Sequence, residues 1–60
     1  MDDLISARIK KARDLLLVEG LSISEVAREV GYVTPAHFTR LFTRLVGMSP
    51  RTYRKRMRQG

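Results

Sequence analysis

Two arginines, Arg40 and Arg44, stand four residues apart in the segment FTRLFTRLV. If this segment is helical, both guanidinium groups lie on one face, where like charges repel and weaken the helix. A guanidinium group donates paired hydrogen bonds to guanine O6 and N7, and it also pairs with phosphate oxygens. The spacing therefore favours a surface that binds a polyanion, because a bound anion relieves the repulsion.

The excess positive charge of +6 lies in the C-terminal part of the chain. Residues 1–20 carry four acids and four bases, residues 21–33 two acids and one base, and residues 34–60 seven bases and no acid. Such one-sidedness indicates a polyanionic partner, with nucleic acid and an anionic membrane as the leading candidates. The basic C-terminal segment has only Tyr53 and Met57 as apolar anchors, so nucleic acid is favoured and no membrane partner is predicted.

The composition also bounds what the chain can be. Sixty residues make one small domain of marginal stability, because so short a chain buries only about 60% of its unfolded surface. With no cysteine and one histidine, neither a disulfide nor a metal site nor any cofactor is predicted, and a reducing cytoplasm is expected. The acids show no spacing with His37 that suggests acid–base chemistry, so the protein is predicted not to be an enzyme.

Start and stop signals predict an all-α fold, a small bundle of about four helices. The expected units are a first helix over 3–19, a helix-turn-helix over 22–47 and a C-terminal helix over 49–58. The second helix of the central unit is expected over about 35–46, because Thr34 suits the N-cap, Pro35 the first helical position and Gly47 the stop.

The turn Gly31-Tyr32-Val33-Thr34 between the two central helices is short and contains glycine, as in a helix-turn-helix. The first of these helices begins with a capping box, in which Ser22 and Glu25 bond each other's backbone amides. Ala27, four residues before Gly31, lets the two helices approach closely, and Gly31 permits a positive φ at the turn. Gly20 is expected to end the first helix in a Schellman motif, with Leu21 touching Leu16.

Apolar spacing predicts which residues form the core. The expected core residues are Ile5, Ile9, Ala12, Leu16, Ile23, Val26, Ala27, Val30, Phe38, Leu41, Phe42, Leu45, Val46, Tyr53 and Met57. Three hydrophobic staples are also expected, Leu21 with Val26, Val33 with Phe38, and Met48 with Tyr53.

The polar face of the third helix supplies the candidate site. Arg40 is placed to read guanine, Pro35 and Ala36 to pack on a thymine methyl group, and Arg44 to reach the backbone. The predicted base contacts are Pro35, Ala36, His37 and Arg40. The predicted phosphate contacts are Ser22, Thr34, Thr39, Thr43, Arg44, Ser49 and Arg51, with Ser22 and Ser49 standing at helix amide ends.

From Ser22 onward the sequence resembles the second helix-turn-helix of the AraC/XylS family of bacterial transcription regulators. The matching elements are SISEVA, VGY, HFTRLFTR and GMSPRTYR, and ARIKKARDLLL resembles the helix that links the family's two helix-turn-helix units. The resemblance implies sequence-specific binding of double-stranded DNA in the major groove, within a regulator at the nucleoid of a bacterial cytoplasm. The implied base readers are Pro35, Ala36, His37 and Arg40, and the implied phosphate contacts include Thr39 and Arg44.

Only Met1-Asp2-Asp3-Leu4 precede the linker-like helix, so the family's first unit and any ligand-sensing domain are expected to be missing. RNA polymerase, a second copy or a second helix-turn-helix unit remain candidate partners besides DNA. The alternative function is a protein-interaction or dimerisation module. It uses apolar residues of helix one beyond those that a single buried stripe needs, namely Leu4, Ile5, Leu15, Leu17 and Val18.

Overall fold

The computed structural model describes residues 4–59, with side chains as far as Arg58. Within this range the chain forms four α-helices and no strand, which confirms the predicted all-α bundle. The helices are α1 (Leu4–Leu15), α2 (Ile23–Glu29), α3 (Pro35–Val46) and α4 (Pro50–Gln59). The predicted start of the first helix at Asp3 lies outside the described residues.

The first helix is shorter than the predicted 3–19. Helix α1 ends at Leu15, and the chain continues in turns with hydrogen bonds between residues three apart. The amide N–H groups of Leu17 and Val18 bond carbonyls three residues back, at 3.2 and 3.0 Å. The carbonyl of Leu16, which a longer helix would offer to the amide of Gly20, instead accepts from Arg54 Nε at 2.8 Å. The predicted Schellman motif at the end of a helix reaching Glu19 is therefore wrong, although Gly20 does have a positive φ of 91°.

The helix-turn-helix forms as its local chemistry predicts. Ser22 Oγ accepts from the amide of Glu25 at 3.1 Å, and Glu25 Oε1 accepts from the amide of Ser22 at 2.8 Å. Helix α2 ends in a Schellman motif, with the amide of Tyr32 donating to the carbonyl of Ala27 at 2.9 Å. Gly31 supplies the left-handed residue of that motif with φ 97°, and Ala27 is buried at the close approach.

Helix α3 has the predicted bounds, and its ends are capped on both sides. Thr34 is extended, and its Oγ1 accepts from the amide of His37 at 3.3 Å. Gly47 adopts φ 97° and donates its amide to the carbonyl of Thr43 at 2.9 Å. The recognition-helix candidate is thus a rigid element with defined ends.

One hydrophobic core joins all four helices, and aromatic rings run through its centre. The rings of Phe38 and Phe42 lie 5.6 Å apart, and Phe42 lies 5.6 Å from Tyr53 in an edge-on arrangement. The buried set is Ile9, Ala12, Leu16, Val26, Ala27, Val30, Tyr32, Phe38, Phe42 and Tyr53. The half-buried residues that pack against it are Leu15, Leu21, Ile23, Leu41, Val46 and Met48.

Four apolar predictions are wrong. Val33 is 95% exposed, so its staple with Phe38 does not form; Tyr32 covers Phe38 instead, with the rings 5.9 Å apart. Leu45 is 53% exposed, because α1 does not close over the last turn of α3 and an open groove separates them. Ile5 and Met57 are 43% and 46% exposed, since each lies one turn outside the buried residue of its own helix.

Hydrogen bonds at Ser49 and at Arg54 fix the first two turns of helix α4. Ser49 Oγ accepts from the amide of Thr52 at 3.2 Å, which caps the helix. Arg54 donates through Nε to the carbonyl of Leu16 and through Nη2 to the carbonyl of Leu21. This guanidinium group therefore ties α4 to the connection between α1 and α2, and it is not a free surface charge.

Candidate nucleic-acid interface

The outward face of α3 carries the predicted base contacts. Pro35, Ala36, His37 and Arg40 are all exposed within its first two turns, and Arg44 is exposed one turn farther on. This face lies opposite Phe38 and Phe42, both of which are fully buried. The core thus fixes which side of α3 points outward.

No described residue neutralises either arginine of this face. Among residues 4–59, no acidic side chain forms an ion pair with Arg40 or Arg44. The repulsion expected from their four-residue spacing therefore remains in the folded chain. Their planar donor groups are available to an anion or to a base edge.

His37 is held by Tyr32, a residue of the turn between α2 and α3 that was not predicted as part of the site. The ring of Tyr32 meets the ring of His37 edge-on, with centroids 5.4 Å apart. Tyr32 is itself buried, and the guanidinium group of Arg8 lies 5.6 Å from its ring centroid. Tyr32 thus links α1 to the start of α3. The signals for Tyr32 in the sequence are an aromatic residue within a glycine-containing turn and its place in the VGY element.

The predicted phosphate contacts differ in whether their hydroxyl groups can donate. Thr43 Oγ1 donates to the carbonyl of Thr39 at 2.7 Å, and Ser49 Oγ donates to Thr52 Oγ1 at 2.9 Å. Phosphate oxygens need donors, so both hydroxyl groups must rotate before they can contact one. Thr34 Oγ1 only accepts, from the amide of His37, so its hydrogen remains available. Thr39, another predicted phosphate contact, is half-buried, so its side chain is less accessible than those of Thr34 and Thr43.

The two helix starts that were predicted to bind phosphate have opposite electrostatics. At α2, Glu25 bonds the amide of Ser22, and these bonds from Ser22 hold the pKa of Glu25 below its ordinary value. A charged carboxylate therefore already stands where a phosphate would lie. Helix α4 has no acid in its first turn and carries the exposed Arg51 beside Ser49. Of the two starts, that of α4 suits a phosphate better.

No cluster of metal-binding side chains occurs among the described residues. In the same part of the chain, no helix is long and apolar enough to cross a membrane.

A family model described as a helix-turn-helix domain matches residues 4–56. The chain belongs to the AraC-type helix-turn-helix family. This confirms the family resemblance drawn from the SISEVA, VGY and HFTRLFTR elements. The match begins at the first residue of α1, so the linker-like helix is part of it.

Two curated relatives are much longer than this chain. It is 42% identical over 53 residues to the MmsAB operon regulatory protein of Pseudomonas aeruginosa, covering 88% of this chain and 17% of that protein. It is 39% identical over 56 residues to the HTH-type transcriptional regulator GlxA of Rhizobium meliloti, covering 93% and 17%. The chain thus spans about a sixth of the length of these curated relatives.

The fold is also found in a solved structure. The crystal structure of a DNA-binding transcriptional dual regulator from Escherichia coli K-12 superimposes with a TM-score of 0.91 at 32% identity. The superposition covers 93% of this chain and 50% of that one. One copy of the present fold therefore corresponds to half of that regulator.

Proposed function

We propose that this chain binds double-stranded DNA in the major groove through α3, as the helix-turn-helix part of a bacterial transcription regulator. The observation that carries the proposal is the pair of exposed guanidinium groups of Arg40 and Arg44, which form no ion pair within the described residues and lie on a helix whose other side is buried in the core. Membership of the AraC-type family supports it, as does the solved neighbour described as DNA-binding.

Each side chain of the α3 face has a distinct role in this proposal. Arg40 donates two guanidinium hydrogen bonds to guanine O6 and N7, the commonest specific contact in the major groove. Pro35 and Ala36 are small and apolar and pack on a thymine methyl group. His37, held edge-on against Tyr32, donates to a base or a phosphate.

The phosphate contacts hold the domain in register on the duplex. Arg44 reaches the backbone one turn beyond Arg40, and the start of α4 offers the backbone amide and the guanidinium group of Arg51. Thr34 donates its free hydroxyl hydrogen. Thr39, Thr43 and Ser49 remain predicted contacts, and the bonds that Thr43 and Ser49 now donate are exchanged for phosphate on binding. Ser22 is the predicted contact least suited to phosphate, because the carboxylate of Glu25 already bonds its amide.

A salt titration against duplex DNA, followed by fluorescence anisotropy, tests the binding mode. About five or six neutralised phosphates predict a log–log slope of about −4 to −6, at roughly −0.9 per phosphate. Non-specific affinity is expected at ~10⁻⁴–10⁻⁶ M near physiological salt. A slope near zero contradicts the proposal.

Base readout is tested with Arg40→Ala on a site selected from a random duplex pool. The variant is expected to lose ~1–3 kcal/mol of binding free energy and to relax preference at one base pair. Arg58→Ala, which removes an exposed arginine from the last turn of α4, is the matched control and keeps the preference. Equal losses on every sequence would show that Arg40 contacts phosphate instead.

We also place the protein at the nucleoid, in the cytoplasm, with RNA polymerase or a further helix-turn-helix unit as additional partners.

A second candidate function, pairing through apolar residues of α1 and the segment that follows it, is favoured by a specific observation. Leu4 and Ile5 of α1 and Leu17 and Val18 just beyond it are between 43% and 65% exposed. Leu15, which was also predicted for this surface, is half-buried against the core. Sedimentation across a concentration series tests the homodimer form, and a monomer at high concentration excludes it.

A further inference from the structure

An open groove lies between α1 and the C-terminal turn of α3. Its volume is about 470 Å³, and it is lined by Ser6, Ile9, Lys10, Arg13, Leu45 and Val46. Ile9 is buried and Val46 half-buried, so they form an apolar floor, while Leu45 is 53% exposed at the rim. The groove therefore has a small apolar floor within a lining that is polar in its larger part.

The α1 side of the groove is cationic. Within the described part of the chain, neither Lys10 nor Arg13 forms an ion pair, although Asp14 lies within electrostatic range of Arg13. Arg13 is held in place, since its Nε donates to Tyr53 Oη at 3.4 Å and its guanidinium carbon lies 5.8 Å from the tyrosine ring centroid. A fixed cation beside an apolar floor is already positioned for an anionic group.

The groove is separate from the proposed DNA-reading face. Along an α-helix each residue turns by about 100°, so Leu45 and Val46 stand about 140° and 120° around α3 from Arg40. A ligand in the groove and a duplex on the outward face therefore contact different sides of the same helix.

We propose that this groove docks an acidic, amphipathic peptide segment of a partner protein. An apolar side chain of the segment packs on Ile9 and Val46 beside Leu45, and flanking carboxylates face Lys10 and Arg13. A nucleic-acid phosphate backbone offers no apolar group to pack on the floor of the groove. A small organic anion is disfavoured because small-molecule sites bury about 70–90% of their ligand, and this groove is open to solvent.

The test uses a fluorescein-labelled peptide with leucines at i, i+3, i+4 and i+7 among glutamates, titrated with the full chain. Saturable binding is expected, weakened about tenfold by Lys10→Glu and roughly fivefold by Leu45→Gln. The matched control is Lys11→Glu, which makes the same charge change at an exposed neighbouring residue that does not line the groove. It is expected to change affinity by less than about twofold. Circular dichroism checks that each variant is folded.

Three outcomes overturn the proposal. Equal weakening by Lys10→Glu and Lys11→Glu, with no effect of Leu45→Gln, shows unspecific attraction between charges. Concentration-dependent shifts of the Leu45 methyl signals without peptide show that a second copy fills the groove. A far larger loss of DNA affinity for Lys10→Glu than for Lys11→Glu shows a phosphate site. Arg40→Ala is expected to keep peptide binding, so this test and that of DNA binding fail independently.

Discussion

Replacing Arg54 by alanine is expected to loosen α4 from the rest of the domain. Arg54 is half-buried, and its guanidinium group donates to the carbonyls of Leu16 and Leu21, which lie 38 and 33 positions earlier in the chain. No other side chain is seen to bond these two carbonyls within the described residues. The substitution therefore removes the polar connection between α4 and the segment that joins α1 to α2.

The size of the effect follows from the two bonds. A hydrogen bond to a charged group contributes about 1.5–3 kcal/mol, and water replaces part of this at a half-buried site. We expect a loss of about 2 kcal/mol for the pair of bonds taken together. In a domain of 60–100 residues, 1 kcal/mol shifts Tm by about 4–8 °C, so the expected fall is about 8–16 °C.

Thermal unfolding followed by circular dichroism at 222 nm measures this shift. Arg56→Ala is the matched control, because Arg56 is exposed on the same helix and its loss removes the same charge. It is expected to change stability by less than about 0.5 kcal/mol. Arg54→Lys keeps the positive charge but lacks the planar guanidinium donors. Its Tm is expected to lie between those of Arg54→Ala and Arg56→Ala. If Arg54→Ala and Arg56→Ala melt together, the guanidinium bonds do not hold α4.

Three further predictions concern the helix-turn-helix. Gly31→Ala is expected to cost about 1–3 kcal/mol by urea unfolding, because Gly31 has φ 97°; an unchanged midpoint would refute it. Val33→Ser is expected to stay within about 0.5 kcal/mol of the parent, because Val33 is 95% exposed, and a larger loss would show that the staple forms after all. The pKa of Glu25 is lowered in the fold, so its contribution to stability is present above the unfolded pKa near 4.5 and is lost as pH falls through the folded pKa. In the Glu25→Gln variant, Tm is expected to depend less on pH in that acidic range than in the parent. If the two curves of Tm against pH are parallel, Glu25 is not the source of this pH dependence.

Local chemistry made several parts of the fold predictable. A capping residue and the amide that it bonds lie within three positions of each other, so Ser22 and Thr34 are recognisable without any knowledge of the tertiary structure. The same holds for the stops at Gly31 and Gly47. The bounds of α3 could therefore be predicted, together with the side of it that carries Arg40.

Contacts between distant residues were not predictable. Helix α1 ends early partly because Arg54, 38 residues away, takes the carbonyl of Leu16. The choice between Tyr32 and Val33 as the turn residue that covers Phe38 depends on where α1 places Arg8 against the tyrosine ring. Leu45 follows the apolar period of α3, yet its exposure depends on how far α1 extends over that helix. The roles of the site residues stay predictions, since they depend on a ligand.

Chemical-shift mapping of the labelled chain during titration with a selected DNA duplex shows whether α3 is the element that binds DNA. We expect the largest changes at the backbone amides of residues 36–44 and at the Nε–H signals of Arg40 and Arg44. Changes confined to α1 and α2, with residues 35–44 unmoved at saturation, would contradict this expectation.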